Sequence, residues 1–196
     1  MKFNKNITIL IVLVVIAVGA IAATIYYSGK DSTPVSVSNK PNTQTTNNPS
    51  QPSVSTPQST EEQLLFLIEE EKLAHDVYTV MYEKYGANVF GNILKSETNH
   101  QARVLTLLQA RNIPDPRSSE IGVFKNTVLQ KFYDDLIAQG NKSATEAYKA
   151  GVAVEERDIA DISNQLATTT EQDVVTTLES LRSASENHLR AFNRQL

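Results

Sequence analysis

Five side chains of this 196-residue chain could bind metal together: Glu71, Glu97, His100, Glu155 and His188. Each interrupts an apolar stripe at helical spacing, where a carboxylate or imidazole is costly unless something binds it. Glu71 lies three residues beyond Ile68 and seven before Tyr78. Glu97 lies three beyond Leu94 and His100 three beyond Glu97, so this Glu-x-x-His pair projects from one helix face. Glu155 follows Val152 by three and precedes Ile159 by four, and His188 lies seven beyond Leu181. Two helices with one Glu each, and two with an i, i+3 pair ending in His, would suit a metal site inside a four-helix bundle. The one departure is Ser185, which stands where a second Glu-x-x-His pair would begin. Neighbouring Glu186 is turned off that stripe by about 100°. A second metal position would then be weak, absent, or completed by another ligand such as Glu179 or water.

Composition narrows the metal. The chain has no cysteine, which excludes disulfides, thiolate zinc sites and cysteine-ligated iron. Hard carboxylate oxygens with neutral imidazoles suit iron, as two ions in a binuclear site, with manganese or zinc as alternatives. Eighteen basic against twenty-two acidic residues give a net charge of −4, which argues against a nucleic-acid partner.

Other polar residues near the stripes have blander readings. His75 is one turn from Glu71 but reads as a surface histidine. Glu61, Glu62, Glu69 and Glu70 form an acidic run expected on a solvated face near a helix N-terminus, where the helix dipole favours it. Asp158, one turn beyond Glu155, would either orient a ligating histidine or be a solvated acid paired with Arg157 or Arg103. Tyr78 and Tyr148 would either line the site or belong to the core with a satisfied hydroxyl.

The elements that must position these groups are helices. Thr60 with Gln63 offers a capping box for a first helix that runs to Gly86. Its stripe is Leu64, Leu67, Ile68, Ala74, Tyr78, Met81, Tyr82 and Tyr85. A second helix is expected over 88–111, ended by Ile113-Pro114-Asp115-Pro116. A short helix over 126–139 stops at Gly140 and lies in the long crossover. Ser143-x-x-Glu146 opens the next helix, which reaches about Leu166, and Thr168, Thr169 or Thr170 would cap the last, which carries Val174, Leu178, Leu181, Leu189 and Phe192. No segment alternates like a strand. The expectation is an all-α four-helix bundle over 61–196, with an extra short helix in the crossover.

The wording of these helices supports a family resemblance. Glu71-x-x-Ala74-x-x-x-Tyr78, Glu97-x-x-His100 and Gly151-x-x-x-Glu155-x-x-Asp158 resemble the first three helices of rubrerythrin-type ferritin-like domains. Glu69-Glu70-Glu71-Lys72-Leu73-Ala74 with Asp76-Val77-Tyr78, and Asn187-His188-Leu189-Arg190-Ala191-Phe192, resemble the ferritin-like family of domain of unknown function 2202. The resemblance implies a fold without naming a substrate. Carried over by position, it implies Glu71, Glu97, His100, Glu155 and His188 as metal ligands, five of the six that a full di-iron site uses.

The N-terminal third is different in kind. Residues 7–27, ITILIVLVVIAVGAIAATIYY, carry no charge and are long enough to cross the ~30 Å bilayer core. Lys2 and Lys5 before them favour a cytoplasmic N-terminus. Residues 1–30 read as a membrane anchor or, with Ala20-Ile21-Ala22 as cleavage site, as a signal peptide. Residues 31–60, rich in Ser, Thr, Pro and Asn, read as a disordered linker. The domain at 61–196 is then expected outside the cytoplasmic membrane, on a single-pass tether or secreted.

Together these features predict a ferritin-like metal-binding protein, a di-iron oxidoreductase acting on peroxide or ferrous iron. Lacking cysteine, it would need an external electron donor. A homodimer is compatible with such a bundle. The competing expectation is a non-catalytic bundle whose site has decayed at Ser185, its buried Glu and His satisfying one another.

Overall fold

The helix boundaries follow from local hydrogen-bonding chemistry. In the computed structural model, which describes residues 58–196, five helices follow one another. They are α1 (Thr60–Tyr85), α2 (Asn88–Ala110), α3 (Thr127–Gly140), α4 (Ala144–Leu166) and α5 (Gln172–Asn193). There is no strand among the described residues, and none of their helices is long and apolar enough to cross a membrane. The apolar segment at 7–27 and nearly all of the expected linker lie outside the described residues.

The first cap sits one residue earlier than the expected Thr60. Ser59 accepts from the Glu62 amide while the Glu62 carboxylate accepts from the Ser59 amide, a capping box with a charged member. Thr60 instead donates to Glu171 across the molecule. Chain reversal after α1 takes two residues, with Gly86 at φ 63°, a left-handed conformation that glycine adopts without steric cost. Ser143 caps α4 and Asn126 caps α3. At α5 the cap residue is Glu171, with no side-chain hydrogen bond to the helix. Thr168, expected as a cap, uses its hydroxyl on Gln63 and on the end of α4.

Helices α1, α2, α5 and α4 close into a ring, each packing on the next, and α3 packs outside it against α1 and α4. The molecule is thus a helical bundle with one extra helix laid over α1. That placement overturns the expected solvated acidic face. Glu69 and Glu70 are each only 3% exposed, whereas Glu61 and Glu62 do face solvent. Glu69 accepts from the backbone amides of Lys125 and Asn126 at 2.7 and 2.9 Å, tying down the entry to α3. Glu70 faces Arg157 on α4 at 3.2 Å. Lys72 and Asp76 form a buried ion pair that also holds the crossover through Glu120 and Gly122.

Apolar side chains form two separate clusters, the first of which extends from the ring onto α3. One contains Val77, Tyr78, Phe90, Ile93, Leu136 and Phe192, the other Leu67, Ile68, Val104, Leu108, Leu178 and Leu181. Gly151 allows α4 to approach α5 closely, since a Cβ there would meet the Phe192 ring at 2.7 Å. Three residues of the expected stripes lie outside the core: Tyr82 is 41% exposed, and Ile159 and Leu189 are half-buried. Between the two clusters lies a layer of buried polar side chains.

Candidate metal centre

All five expected ligands are buried in that layer, and they form two triads. The first is Glu71, Glu97 and His100, and the second is Glu97, Glu155 and His188. Within each, one ligand atom per residue lies within 4.8 Å of the others, and Glu97 belongs to both. The i, i+3 spacing of Glu97 and His100 aims both side chains into the ring from α2. Glu71 reaches the same point from α1, Glu155 comes from α4 and His188 from α5.

The first triad is closely knit. His100 Nδ1 lies 3.1 Å from Glu71 Oε2 and 3.1 Å from Glu97 Oε2. Its other nitrogen, Nε2, is 3.1 Å from the Ser96 hydroxyl, which fixes the ring from behind. In the second triad His188 Nδ1 stands 3.0 Å from Glu97 Oε1 and 3.5 Å from Glu155 Oε1. These charge contacts lack the alignment of a hydrogen bond. Glu155 Oε1 accepts instead from the Tyr78 hydroxyl at 2.5 Å. The two imidazoles are stacked, with centroids 5.6 Å apart and planes at 21°.

Charge and burial oppose one another throughout the layer. Burial, reinforced by the charge of Asp158, holds the Glu71 carboxyl well above the ordinary range. Burial likewise raises Glu155 and Asp158, each to about 7. Burial works against Glu97 too, yet His100 and His188 pull its carboxyl down to about 2. The same contacts, against the cost of burial, lift His100 to about 10 and His188 to about 9. Four carboxylates gathered without a fixed protein cation are therefore held by shared protons, an arrangement that a divalent cation can replace.

Donor chemistry and unmet bonding capacity both fit such a cation. Glu71 Oε1, Glu97 Oε1 and His188 Nδ1 are buried without a hydrogen-bond partner among the described residues, whereas buried polar atoms are ordinarily satisfied. All three atoms belong to the triads. Carboxylate oxygens with imidazole nitrogen are the donors preferred by iron and manganese, and acceptable to zinc.

Several other residues find different places. His75 is half-buried beside Asp76, at 3.3 Å, and belongs to neither triad. Tyr148 stacks on Phe90 at 5.6 Å, outside the layer. Glu179 and Glu186 are exposed on α5, so neither completes a second position. Asp158 is buried and accepts from the Ser185 hydroxyl. Its expected partners are engaged elsewhere: Arg157 pairs with Glu70 and Asp161, and Arg103 bonds Ser180. Ser96 was not anticipated, although it precedes His100 by four and so shares its helix face.

Comparison with known proteins agrees with this architecture. Residues 60–196 match the family described as an uncharacterized protein domain, DUF2202. The chain belongs to that family. The DUF2202 chain is also 42% identical, over 136 residues, to the uncharacterized protein MJ0754 of Methanocaldococcus jannaschii, covering 69% of this chain and 74% of that protein. The crystal structure of hypothetical protein MJ0754 superposes with a TM-score of 0.69 at 40% identity, covering 75% of this chain and 85% of that one.

Proposed function

We propose that this DUF2202 protein is a ferritin-like metalloprotein whose two metal positions share Glu97, and that it is an oxidoreductase acting on peroxide or ferrous iron. The observation that carries the reading is the pair of triads joined by one carboxylate. Glu71 and His100 would hold one ion and Glu155 and His188 the other, with Glu97 between them. Two irons so held would supply two-electron redox chemistry toward peroxide or oxygen.

The surrounding residues support such a role. Leu67, Ile68 and Leu181 on one side of the layer, and Tyr78, Phe90 and Phe192 on the other, keep bulk water from the ligands. Ser96 sets the ring of His100, and Tyr78 sets the Glu155 carboxylate and places a hydroxyl proton beside it. With no cysteine in the chain, reducing equivalents come from an external donor. The uncharged segment at 7–27 and the polar stretch after it support an exported domain on a membrane tether.

The test is anaerobic titration of the purified full chain with Fe(II), followed by peroxide. About two irons per chain, and an absorption band that develops on oxidation, are expected. Binding no greater than that of a Glu97→Ala/His188→Ala control contradicts the proposal and favours a non-catalytic bundle.

A further inference from the structure

The candidate ligands lie between apolar walls, so an ion that binds there has to pass between helices. Between the start of α1 and the end of α4 the structure holds a cavity of about 350 Å³, whose lining includes Gln63, Phe66, Arg157, Asp161 and Gln165. Gln63 and Gln165 are 5% and 7% exposed, and the amide oxygen of each has no hydrogen-bond partner among the described residues. The Gln63 amide is fixed in that orientation, because its nitrogen donates to the Gln58 carbonyl at 3.2 Å and to the Thr168 hydroxyl at 3.0 Å. Beyond Arg157, Glu70 Oε2 is a third buried oxygen without a partner among the described residues. All three unmet atoms are acceptors, so what would satisfy them is positive charge or polarised water. The cavity has room for both, being far larger than the ~30 Å³ of one water molecule.

Arg157 marks where positive charge is wanted. Its Nε lies 3.2 Å from both Glu70 Oε1 and Asp161 Oδ2, so the guanidinium bridges the two carboxylates. It rests against the rings of Phe66 and Phe132, 5.8 and 4.8 Å from their centroids. Its side chain is 27% exposed, so it can swing outward without crossing the core. Glu70 immediately precedes the candidate ligand Glu71, and it feels the charge of Asp161 on the cavity side and of Asp158 on the layer side. We propose that this cavity binds a hydrated divalent cation and is the route by which ions enter the buried layer. Asp161 and the two amide oxygens form its mouth, Glu70 passes the ion inward, and Arg157 holds the place until an ion displaces it. The route rests on the dinuclear reading above. Carboxylate and amide oxygens, without imidazole or thiolate, suit a hard ion that keeps part of its water and is held weakly enough to move on.

The test mixes the full chain with Mn(II) anaerobically and follows the loss of the free-ion paramagnetic resonance signal with time, reading final stoichiometry by equilibrium dialysis. The wild type is expected to fill the layer with two tight ions and to bind a third weakly. Glu70→Gln and Asp161→Asn should each fill the layer roughly tenfold more slowly, still end with two tight ions, and lose the weak third. Arg157→Gln should act in the opposite sense and fill the layer roughly threefold faster. The Asp161 side chain is 30% exposed, so its variant keeps the test open should Glu70→Gln fail to fold. Filling at the wild-type rate in both carboxylate variants would overturn the route and leave the dinuclear reading intact. Slowing in Arg157→Gln equal to theirs would also overturn it, since an ion pair that only packs α1 on α4 is weakened alike from either side. Weak binding that survives in both carboxylate variants is adventitious and overturns the site. A wild type whose layer takes up no more Mn(II) than Glu97→Ala defeats the dinuclear reading itself, and the route with it.

Discussion

The two triads use the same residue types but are built to different tolerances. Around His100, Ser96 holds Nε2 while Glu71 and Glu97 both reach Nδ1, so the ring is fixed on both sides before any ion arrives. Around His188 the carboxylates are near but misaligned, and Glu155 is turned toward Tyr78. Preorganised ligands lose less freedom on binding, so the first position should fill at lower metal concentration than the second. The difference follows from sequence: α2 carries a complete Glu-x-x-His, whereas α5 carries only the histidine and borrows its carboxylates from α2 and α4.

The sharpest way to break this comparison is to remove one imidazole at a time. His100→Ala should abolish the tighter Mn(II) site and weaken the other through Glu97, whereas His188→Ala should leave one tight ion. Equal losses by calorimetric titration would show that the triads are not distinct.

A pH series gives the next largest effect. His100 and His188 are raised above the ordinary imidazole range, so the native chain holds their protons more tightly than the unfolded chain does. That stability is complete below pH 6.5 and is lost as pH rises through about 9 and about 10. Glu155 and Asp158, raised to about 7, act in the same direction at lower pH. Glu97, lowered to about 2, acts oppositely and costs stability only as pH falls below its ordinary 4.5. The metal-stripped protein should therefore melt at a lower temperature at pH 9 than at about pH 5. Metal binding must expel the same protons, so stabilisation by Mn(II) should grow over that range. Thermal melts with chelator or Mn(II) at both pH values check both slopes.

The smallest effect concerns the supports. Ser96→Ala should weaken the first position about tenfold and leave the second unchanged, while Tyr78→Phe should act only on the second. Separate affinities from Mn(II) dialysis would show a crossed pattern if the supports were misassigned.

Much of the layer was legible in the sequence because polar residues on an apolar stripe stand out against helical periodicity. Glu71, Glu97, His100, Glu155 and His188 needed only the spacing within their own helices to be placed inward. Glu69 and Glu70 were not legible in this way. Glu69 is buried by the crossover folding over α1, where Lys125 and Asn126 meet it, and Glu70 faces Arg157 on α4, both long-range events with no local periodic signal. Asp158 was ambiguous for a related reason: spacing placed it near Glu155, but only the packing of α4 on α5 brings it to Ser185. The first cap was misplaced because Ser59 with Glu62 and Thr60 with Gln63 have the same spacing, and the charged pair prevails.

The central claim is that Glu97 stands between two metal ions. Anomalous diffraction from crystals of the full chain grown with Mn(II) tests it directly. Two peaks flanking Glu97 are predicted, one against Glu71 and His100 and the other against Glu155 and His188. A single peak on one side of Glu97, or none in the layer, would contradict it.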